Sequence, residues 1–236
     1  MDQAPTKTPD ERVRHLVRLL IEELSVTPRD STPTSALSER IAASLSAPGT
    51  LGEVIPKVAV DPAVEPDATG WPVFGHLDSA VRAASTGPAR VAAMAAAIGE
   101  LGARLPWYRR DEPRLPEFMA GHANAWIIGP GGALVHDRVQ VGVTLMAPHV
   151  TYPDHHHRPE ELYVVLSDGQ WRRAGQGWTT PGIGARVHHP PDVVHAMRAS
   201  SEPLLALWCL WVEPDAARVG PGRPAQTKAT PSRRAR

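Results

Sequence analysis

The chain of 236 residues is 42% apolar, enough for a sizeable core, and its single cysteine, Cys209, excludes an internal disulfide framework and indicates a reducing compartment. Its 25 lysine and arginine residues balance 25 aspartate and glutamate residues, which excludes the overall positive charge typical of nucleic-acid-binding proteins. There is no apolar signal region at the start and no apolar run long enough to cross a membrane, so we expect a cytoplasmic protein with no nucleic-acid or membrane partner.

Helical periodicity is confined to the first half of the chain. Asp10 is suited to cap a helix whose apolar residues recur from Val13 to Leu24 at the spacing of one helical face. Further helices are predicted from about Ser35 to Leu45, from Leu77 to Ala84, and from about Pro88 to Leu105. Their apolar faces are expected to cover the rest of the protein, or alternatively to form a homodimer.

The second half alternates short β-rich runs with glycine-containing turns, a spacing typical of an antiparallel sandwich or barrel. Strands are predicted at Ala125–Ile128, Ala133–Val135, Val139–Met146, Leu162–Leu166, Gln170–Arg173, Ala185–His188 and Leu204–Val212. The predicted organisation is a disordered tail at 1–9, a helical extension at 10–118, a β-barrel at 119–214 on which the extension packs, and a disordered tail at 215–236.

The segment Tyr152–Tyr163 has an unusual composition for a loop, with three histidines, two glutamates and two tyrosines in twelve residues. On a strand, His155 and His157 project from one face while His156 projects from the other. Glu161 and Tyr163 share a face by the same argument. The segment therefore predicts a site to which two imidazoles, one carboxylate and one phenol are directed.

A third imidazole is expected from His195, which lies in a separate segment after Pro190-Pro191. Three nitrogens and one oxygen suit one divalent transition metal, such as Fe²⁺, Zn²⁺ or Mn²⁺, and leave positions open for a substrate. The predicted ligands are His155, His157, Glu161 and His195. Glu160 is interpreted as solvated, and His188 and His189 are interpreted as packing or hydrogen-bonding residues.

The same residues resemble the cupin superfamily, whose motifs are Gly-x5-His-x-His-x3,4-Glu-x6-Gly and Gly-x5-Pro-x-Gly-x2-His-x3-Asn. The positions that fit are His155, His157 and Glu161 in the first motif and Gly184, Pro190 and His195 in the second. Positions that depart include Asp192, which replaces a glycine, and Ala199, which replaces the asparagine. The resemblance implies a mainly β fold with a double-stranded β-helix, or jelly-roll-like, barrel.

A narrower resemblance is to the cupin-type dimethylsulfoniopropionate (DMSP) lyases. It rests on Tyr152–Tyr163, on the segment His188-His189-Pro-x4-His195-Ala-Met, and on a helical extension before the barrel. The resemblance implies cleavage of DMSP, a small sulfonium carboxylate, to dimethyl sulfide and acrylate on a bound divalent metal.

The chemistry of that β-elimination fits the residue types. The proton next to a carboxylate is too weakly acidic for a side-chain base unless a metal stabilises the charge that develops. A nearby cation favours the phenolate of Tyr163, so Tyr163 is the predicted base, and the resemblance implies the same role. Tyr152 is the second candidate, as a substrate hydrogen-bond donor or an alternative base.

Aromatic rings are expected to bind the sulfonium, because aromatic faces attract cations. The candidates are Tyr152, Trp178, Trp208 and Trp211. Trp208 and Trp211 are three residues apart and must face opposite sides of a regular strand, and we favour Trp211 for the barrel interior.

Two other functions fit the same ligand set. One is an Fe(II)-dependent cupin oxygenase or isomerase that acts on another small carboxylate. The other is a ligand-sensing cupin without catalytic activity, which a DNA-reading motif would favour; the predicted helices contain no convincing one.

Overall fold

The computed structural model describes residues 9–26, 32–53 and 70–213, so the predicted tails, apart from Pro9, lie outside the described residues. The helices are α1 (Pro9–Ser25), α2 (Pro33–Ser46), α3 (Leu77–Ala84), α4 (Ala89–Leu101) and α5 (Pro116–Gly121), with 3₁₀ turns at Pro72–His76 and Gly102–Arg104. Within these described segments, none of the helices combines the length and apolar character that a membrane span requires.

The helices predicted from periodicity are all present, with small differences at their ends. Helix α1 begins at Pro9, and Asp10 belongs to its first turn. Proline suits that first position because it lacks an N–H, which would have no partner there. The α2 cap is Thr32, whose hydroxyl accepts a hydrogen bond from the Ser35 backbone N–H at 3.2 Å. Helix α5 spans the predicted boundary between residues 118 and 119.

The strands of the described residues form two sheets. In chain order they are β1 (Gly52–Glu53), β2 (Trp107–Tyr108), β3 (His122–Ile128), β4 (Leu134–Val135), β5 (Val139–Met146), β6 (Thr151–His155), β7 (Glu160–Val165), β8 (Gln170–Arg173), β9 (Arg186–His189), β10 (His195–Arg198) and β11 (Leu204–Trp211). The large sheet has the order β1-β4-β3-β5-β11-β7-β9, with β2 paired to β3, and the small sheet has the order β6-β10-β8. All pairs but β3–β4 are antiparallel.

The large sheet separates two apolar clusters. One face packs on the helices and carries residues such as Val143, Leu162 and Leu207. The other face meets the small sheet around an aromatic interior that includes Tyr163 and Trp208. The mainly β prediction of a cupin barrel with a helical extension on its outer face is therefore confirmed. The extension also supplies β1 and β2 to the large sheet, which the helical pattern did not indicate.

Gly142 in strand β5 leaves no room for a side chain beneath the Trp208 ring. A Cβ on Gly142 would lie 2.0 Å from Cζ2 of Trp208 and 2.4 Å from the Ala125 carbonyl oxygen. We expect Gly142→Ala to lower the free energy of unfolding by about 1–3 kcal/mol, because the ring or the strand must move to accept the methyl group. Urea unfolding measures this change.

The matched control is Gly177→Ala, because a Cβ there meets no atom within 4 Å. We expect that variant to stay within about 1 kcal/mol of the parent protein. Equal stability of the two variants would contradict the close packing of Trp208 over β5.

Candidate metal centre

Imidazoles from four positions and one carboxylate meet at the end of the barrel interior. His155, His157 and His195 each place a ring nitrogen within 4.8 Å of the others. A second group within the same limit is formed by Glu161, His189 and His195. His195 belongs to both groups, so the two form one continuous cluster.

Strand pairing brings this cluster together. In the β6–β10 pair, His155 lies opposite His195 and Tyr152 lies opposite Met197, with a shift of register between the two pairs. Because of this irregularity, Tyr152 and His155 both reach the interior although they are three residues apart. A regular strand would have directed them to opposite faces.

The strand argument for His157 needs a correction. Strand β6 ends at His155, so simple alternation does not set the direction of His157. The following loop holds it instead: its carbonyl accepts a hydrogen bond from the Asp192 backbone N–H at 2.9 Å. His156, which also follows the end of the strand, is exposed and is not part of the cluster.

Three imidazoles are held in one tautomer by their own backbone neighbourhood. His155, His157 and His195 each donate from Nδ1 to a carbonyl two residues away in the chain. The acceptors are Pro153 at 3.0 Å, Pro159 at 2.9 Å and Val193 at 2.9 Å. Each ring therefore presents Nε2 to the cluster, which is the arrangement of histidines that bind a metal.

The carboxylate lies between two of these rings. Oε2 of Glu161 is 3.2 Å from Nε2 of His157 and 3.1 Å from Nε2 of His195. Burial opposes its ionisation, but the charge and hydrogen bond of His157, together with His195, hold the pKa of Glu161 well below its usual range. Burial and the neighbouring His195 lower the pKa of His155 well below 6.5, so that ring is neutral and its Nε2 can bind a metal.

Unsatisfied buried nitrogens also fit a bound cation. Among the described residues, Nε2 of His195 and both ring nitrogens of His189 are buried without a hydrogen-bond partner. Nε2 of His195 is also at ion-pair distance from Oε2 of Glu161. Buried polar atoms are rarely left unpaired, so an ion that the nitrogens bind would account for them.

His189 is the site residue that the sequence interpretation missed. It lies opposite Glu161 in the β7–β9 pair and its ring stacks on His195, with centroids 4.1 Å apart. Burial, with the neighbouring His195, lowers the pKa of His189 to about 3. The predicted strand ended at His188, but the observed strand includes His189, and adjacent residues of a strand face opposite sides. The pair His188-His189 therefore contained a signal for one inward imidazole.

The outward partners of these residues tie the barrel to α2. Oε1 of Glu160 lies 2.8 Å from Nε2 of His188, and Arg40 of α2 forms an ion pair with the same carboxylate. The Glu160 side chain is only 20% exposed, so the expectation of a solvated glutamate was wrong. His188 has the hydrogen-bonding role that was expected.

Both candidate tyrosines are buried in the same interior. The Tyr163 ring lies 5.8 Å from the ring of His189, and burial, then the Glu161 carboxylate, raises the pKa of Tyr163 well above 10. The Tyr152 ring lies 4.7 Å from that of His155. Burial also raises the pKa of Tyr152, opposed by the charge of Arg110 and by hydrogen bonds from Asn124 and Arg110.

The preference for Trp211 is wrong. Trp208 lies opposite Tyr163 in the β7–β11 pair and faces the interior, where its ring meets Trp126 edge-on at 5.0 Å. Trp211 lies opposite Glu160 on the outer face, with the guanidinium of Arg40 4.8 Å from its ring. The two tryptophans do face opposite sides, but the spacing could not tell which side was the interior.

The surroundings of Trp178 also argue against its expected role as a ring that binds the sulfonium. The guanidinium groups of Arg172 and Arg198 lie 5.0 and 4.4 Å from its ring, so two cations of the protein already occupy it. The interior tryptophan of this region is Trp171, which pairs with Met197 in β10 and lies 6.0 Å from the Tyr163 ring.

The sequence model of the dimethylsulfoniopropionate lyase family matches residues 54–206, a segment that includes every residue of the cluster. This chain belongs to the DMSP lyase family. The match covers more than half of the chain.

Two curated DMSP lyases are similar over shorter segments. The chain is 33% identical over 113 residues to the putative DMSP lyase DddL of Cereibacter sphaeroides, which is 47% of this chain and 47% of that protein. It is 33% identical over 96 residues to the DMSP lyase DddQ of Ruegeria pomeroyi, which is 40% of this chain and 47% of that protein. The chain thus spans about half the length of the curated relatives it matches.

Solved DMSP lyase structures share the fold over most of the chain. A structure from the work on RdDddP and RnDddQII has a TM-score of 0.65 at 20% identity and covers 87% of this chain and 94% of its own. The structure of DddQ from Ruegeria pomeroyi has a TM-score of 0.61 at 22% identity and covers 86% of this chain and 93% of its own. Helical extension and barrel therefore belong to one shared architecture.

Proposed function

We propose that this protein is a metal-dependent DMSP lyase that releases dimethyl sulfide and acrylate by β-elimination. The observation that supports the proposal best is the meeting of Tyr163 and Tyr152 with the histidine–glutamate cluster in one buried interior. Membership of the DMSP lyase family is the basis for proposing DMSP as the substrate. The cluster and the two phenols supply groups of the kind that the reaction requires.

The metal would be held by His155, His157, Glu161 and His195, with His189 in the same cluster. Three of these rings share one tautomer, with Nε2 facing the cluster. Buried nitrogens of His189 and His195 have no hydrogen-bond partner among the described residues. Both observations fit one divalent transition metal. Nitrogen and carboxylate donors of this kind accept Fe²⁺, Zn²⁺ or Mn²⁺. When bound, the ion supplies positive charge that stabilises the negative charge developing at the substrate carboxylate.

Tyr163 is proposed as the base. Its oxygen takes the proton from the carbon next to the carboxylate, the electron pair of that C–H bond forms the carbon–carbon double bond, and the carbon–sulfur bond breaks. The pair of that bond leaves with sulfur, so the products are neutral dimethyl sulfide and acrylate, and the proton passes from Tyr163 to solvent. Since burial and Glu161 raise the pKa of Tyr163, a neighbouring cation is needed for the phenolate to form.

Tyr152 is proposed as a hydrogen-bond donor to the substrate. Asn124 accepts from the Thr144 hydroxyl at 2.6 Å through Oδ1, which leaves its amide N–H group for the Tyr152 oxygen. Arg110 is a second donor to that oxygen. With its oxygen accepting from both, Tyr152 can direct its own O–H to a ligand, and the same two donors would stabilise its phenolate if it acted as the base.

The sulfonium end of the substrate is proposed to lie among the interior aromatic rings. Trp208, Trp126 and Trp171 line the interior that Tyr163 shares, and the faces of such rings attract soft cations by about 0.5–2 kcal/mol each. This environment replaces the one expected from Trp211 and Trp178.

A headspace assay for dimethyl sulfide tests the proposal. Purified protein reconstituted with Fe²⁺, Zn²⁺ or Mn²⁺ is expected to release dimethyl sulfide and acrylate in equal amounts from DMSP, and removal of the metal with a chelator is expected to abolish the release. The assay is run with and without O₂. Absence of product with every metal would reject the lyase, and a strict requirement for O₂ would favour the oxygenase.

A further inference from the structure

We propose that Arg110 binds the carboxylate of the substrate and thereby sets its orientation in the barrel. The inference rests on the proposed function for the identity of the substrate, but the anion site itself is argued from this chain's residues. Arg110 lies 42 positions before Tyr152 in the chain. Arg110 follows strand β2, which pairs with β3, and its guanidinium lies beside the Tyr152 ring.

The position of the guanidinium is the first observation. Its carbon lies 5.5 Å from the centroid of the Tyr152 ring, and that ring lies 4.7 Å from the ring of His155. The positive charge of Arg110 acts on both Tyr152 and His155. Arg110 therefore lies beside Tyr152, whose ring is itself next to the proposed metal ligand His155.

The second observation is an unused donor. Nη1 of Arg110 is buried and has no hydrogen-bond partner within the described part of the chain. A buried donor of a charged group costs free energy when it is left unpaired, and a guanidinium has five N–H donors in a planar fork. A ligand carboxylate is the acceptor that matches this fork in charge and geometry.

The backbone of Arg110 is fixed, so the side chain starts from a defined place. Its N–H donates to Nε2 of His122 at 3.0 Å. His122 can accept because Nδ1 donates to the Phe118 carbonyl, and the imidazole stacks on the Phe118 ring with centroids 3.6 Å apart. Burial lowers the pKa of His122 to about 4, which keeps the ring neutral and its Nε2 an acceptor.

The adjacent arginine has a different role. The guanidinium of Arg109 lies 4.1 Å from the ring of Trp71 and donates to the Met119 carbonyl at 3.4 Å. Arg109 therefore packs the segment against the helices, while Arg110 is directed to Tyr152.

Orientation of the substrate follows from the sign of the charge. DMSP carries a carboxylate at one end and a sulfonium at the other, and Arg110 attracts the first and repels the second. The sulfonium is thereby directed toward Trp208 and Trp126, away from the arginine. Each carboxylate oxygen has two lone pairs, so pairing with Arg110 leaves lone pairs available to the metal centre.

Steady-state kinetics on the full-length, metal-loaded protein provide the first test. Arg110→Gln is expected to raise KM for DMSP by roughly tenfold to hundredfold, the usual loss for a charge-assisted hydrogen bond. Arg110→Lys keeps the charge without the fork and is expected to raise KM less. Arg114→Gln is the matched control, because Arg114 is exposed, pairs with Glu112 and lies four positions further along the same segment.

A binding measurement separates this inference from the proposed function. Isothermal titration calorimetry with propionate and with propionamide compares a carboxylate and a neutral ligand of the same size. The parent protein is expected to prefer propionate, and Arg110→Gln is expected to lose that preference while Arg114→Gln keeps it. If DMSP is not cleaved but this pattern is found, the lyase proposal fails and the anion site stands.

The inference is overturned if Arg110→Gln keeps the parental KM and propionate affinity, or if the parent protein does not prefer propionate. Near-UV circular dichroism checks that the variants are folded. Should the glutamine variant lose its tertiary structure, Arg110→Lys decides: affinity for propionate several-fold below that of the parent supports the anion site, and an unchanged affinity overturns it.

Discussion

Tyr163→Phe is expected to lower kcat for dimethyl sulfide release by about 10²–10⁴-fold, the usual contribution of a positioned general base. KM is expected to change little, because the ring stays packed against Trp171 and His189. Metal affinity is expected to fall by no more than about 10–100-fold, because the lost hydroxyl hydrogen-bonds to the proposed ligand Glu161. Kinetics by headspace detection and metal analysis of the same preparation measure the two effects.

Tyr152→Phe distinguishes the roles of the two phenols. Loss of a substrate hydrogen bond is expected to act mainly through KM and to leave a larger kcat than Tyr163→Phe. If Tyr152→Phe has the greater loss of kcat and Tyr163→Phe turns over normally, the base is Tyr152. Normal turnover in both variants would show that neither phenol takes the proton.

His195→Ala is expected to have the largest effect on metal binding, since His195 belongs to both groups of candidate ligands. Removal of an outer partner of a metal ligand already costs about 10–100-fold in affinity, so we expect losses above that range for His195→Ala, Glu161→Ala, His155→Ala and His157→Ala. Elemental analysis and competition with a chelator of known affinity measure the occupancy and the dissociation constant.

His156→Ala is the matched control, because this exposed histidine lies between two proposed ligands and is expected to leave the affinity unchanged. His189→Ala then tests whether the second group takes part in binding: a loss as large as that of His157→Ala would make His189 a ligand. Full occupancy in all the proposed ligand variants would reject the site.

The alternation of side chains along a strand was enough to predict part of this site. Alternation along β7 placed Glu161 and Tyr163 on one face, and they do share the interior. It was not sufficient for Trp211, because alternation says that two residues face opposite sides without saying which side is covered by helices. That choice depends on the pairing of β11 with β7, which joins residues far apart in the chain.

Other features depend on irregularities that residue spacing does not reveal. Tyr152 and His155 share the interior because the β6–β10 register shifts, and His157 is directed by a loop. Arg110 follows β2 and is held near the site by the pairing of β2 with β3 and by its bond to His122, and a strand of two residues carries no recognisable period. The helices were predictable because α1 repeats its apolar residues over several turns.

One departure from the cupin motifs has a structural explanation. Asp192 stands where the second motif has glycine and adopts a left-handed conformation, with φ of 58°. Aspartate tolerates this region better than most residues, so the turn is preserved. The backbone N–H of Asp192 donates to the carbonyl of His157 and thereby connects the two segments that supply the proposed ligands.

The paired residues Glu160-Glu161 and His188-His189 also bear on how related sequences are compared. In each pair one member faces α2 and the other faces the cluster. A shift of one position between two aligned sequences would exchange these members while matching glutamate with glutamate and histidine with histidine. Identity scores would not reveal the error, although the side of the strand, and with it the role, would be reversed. Assignment of ligands in relatives should therefore rest on strand register.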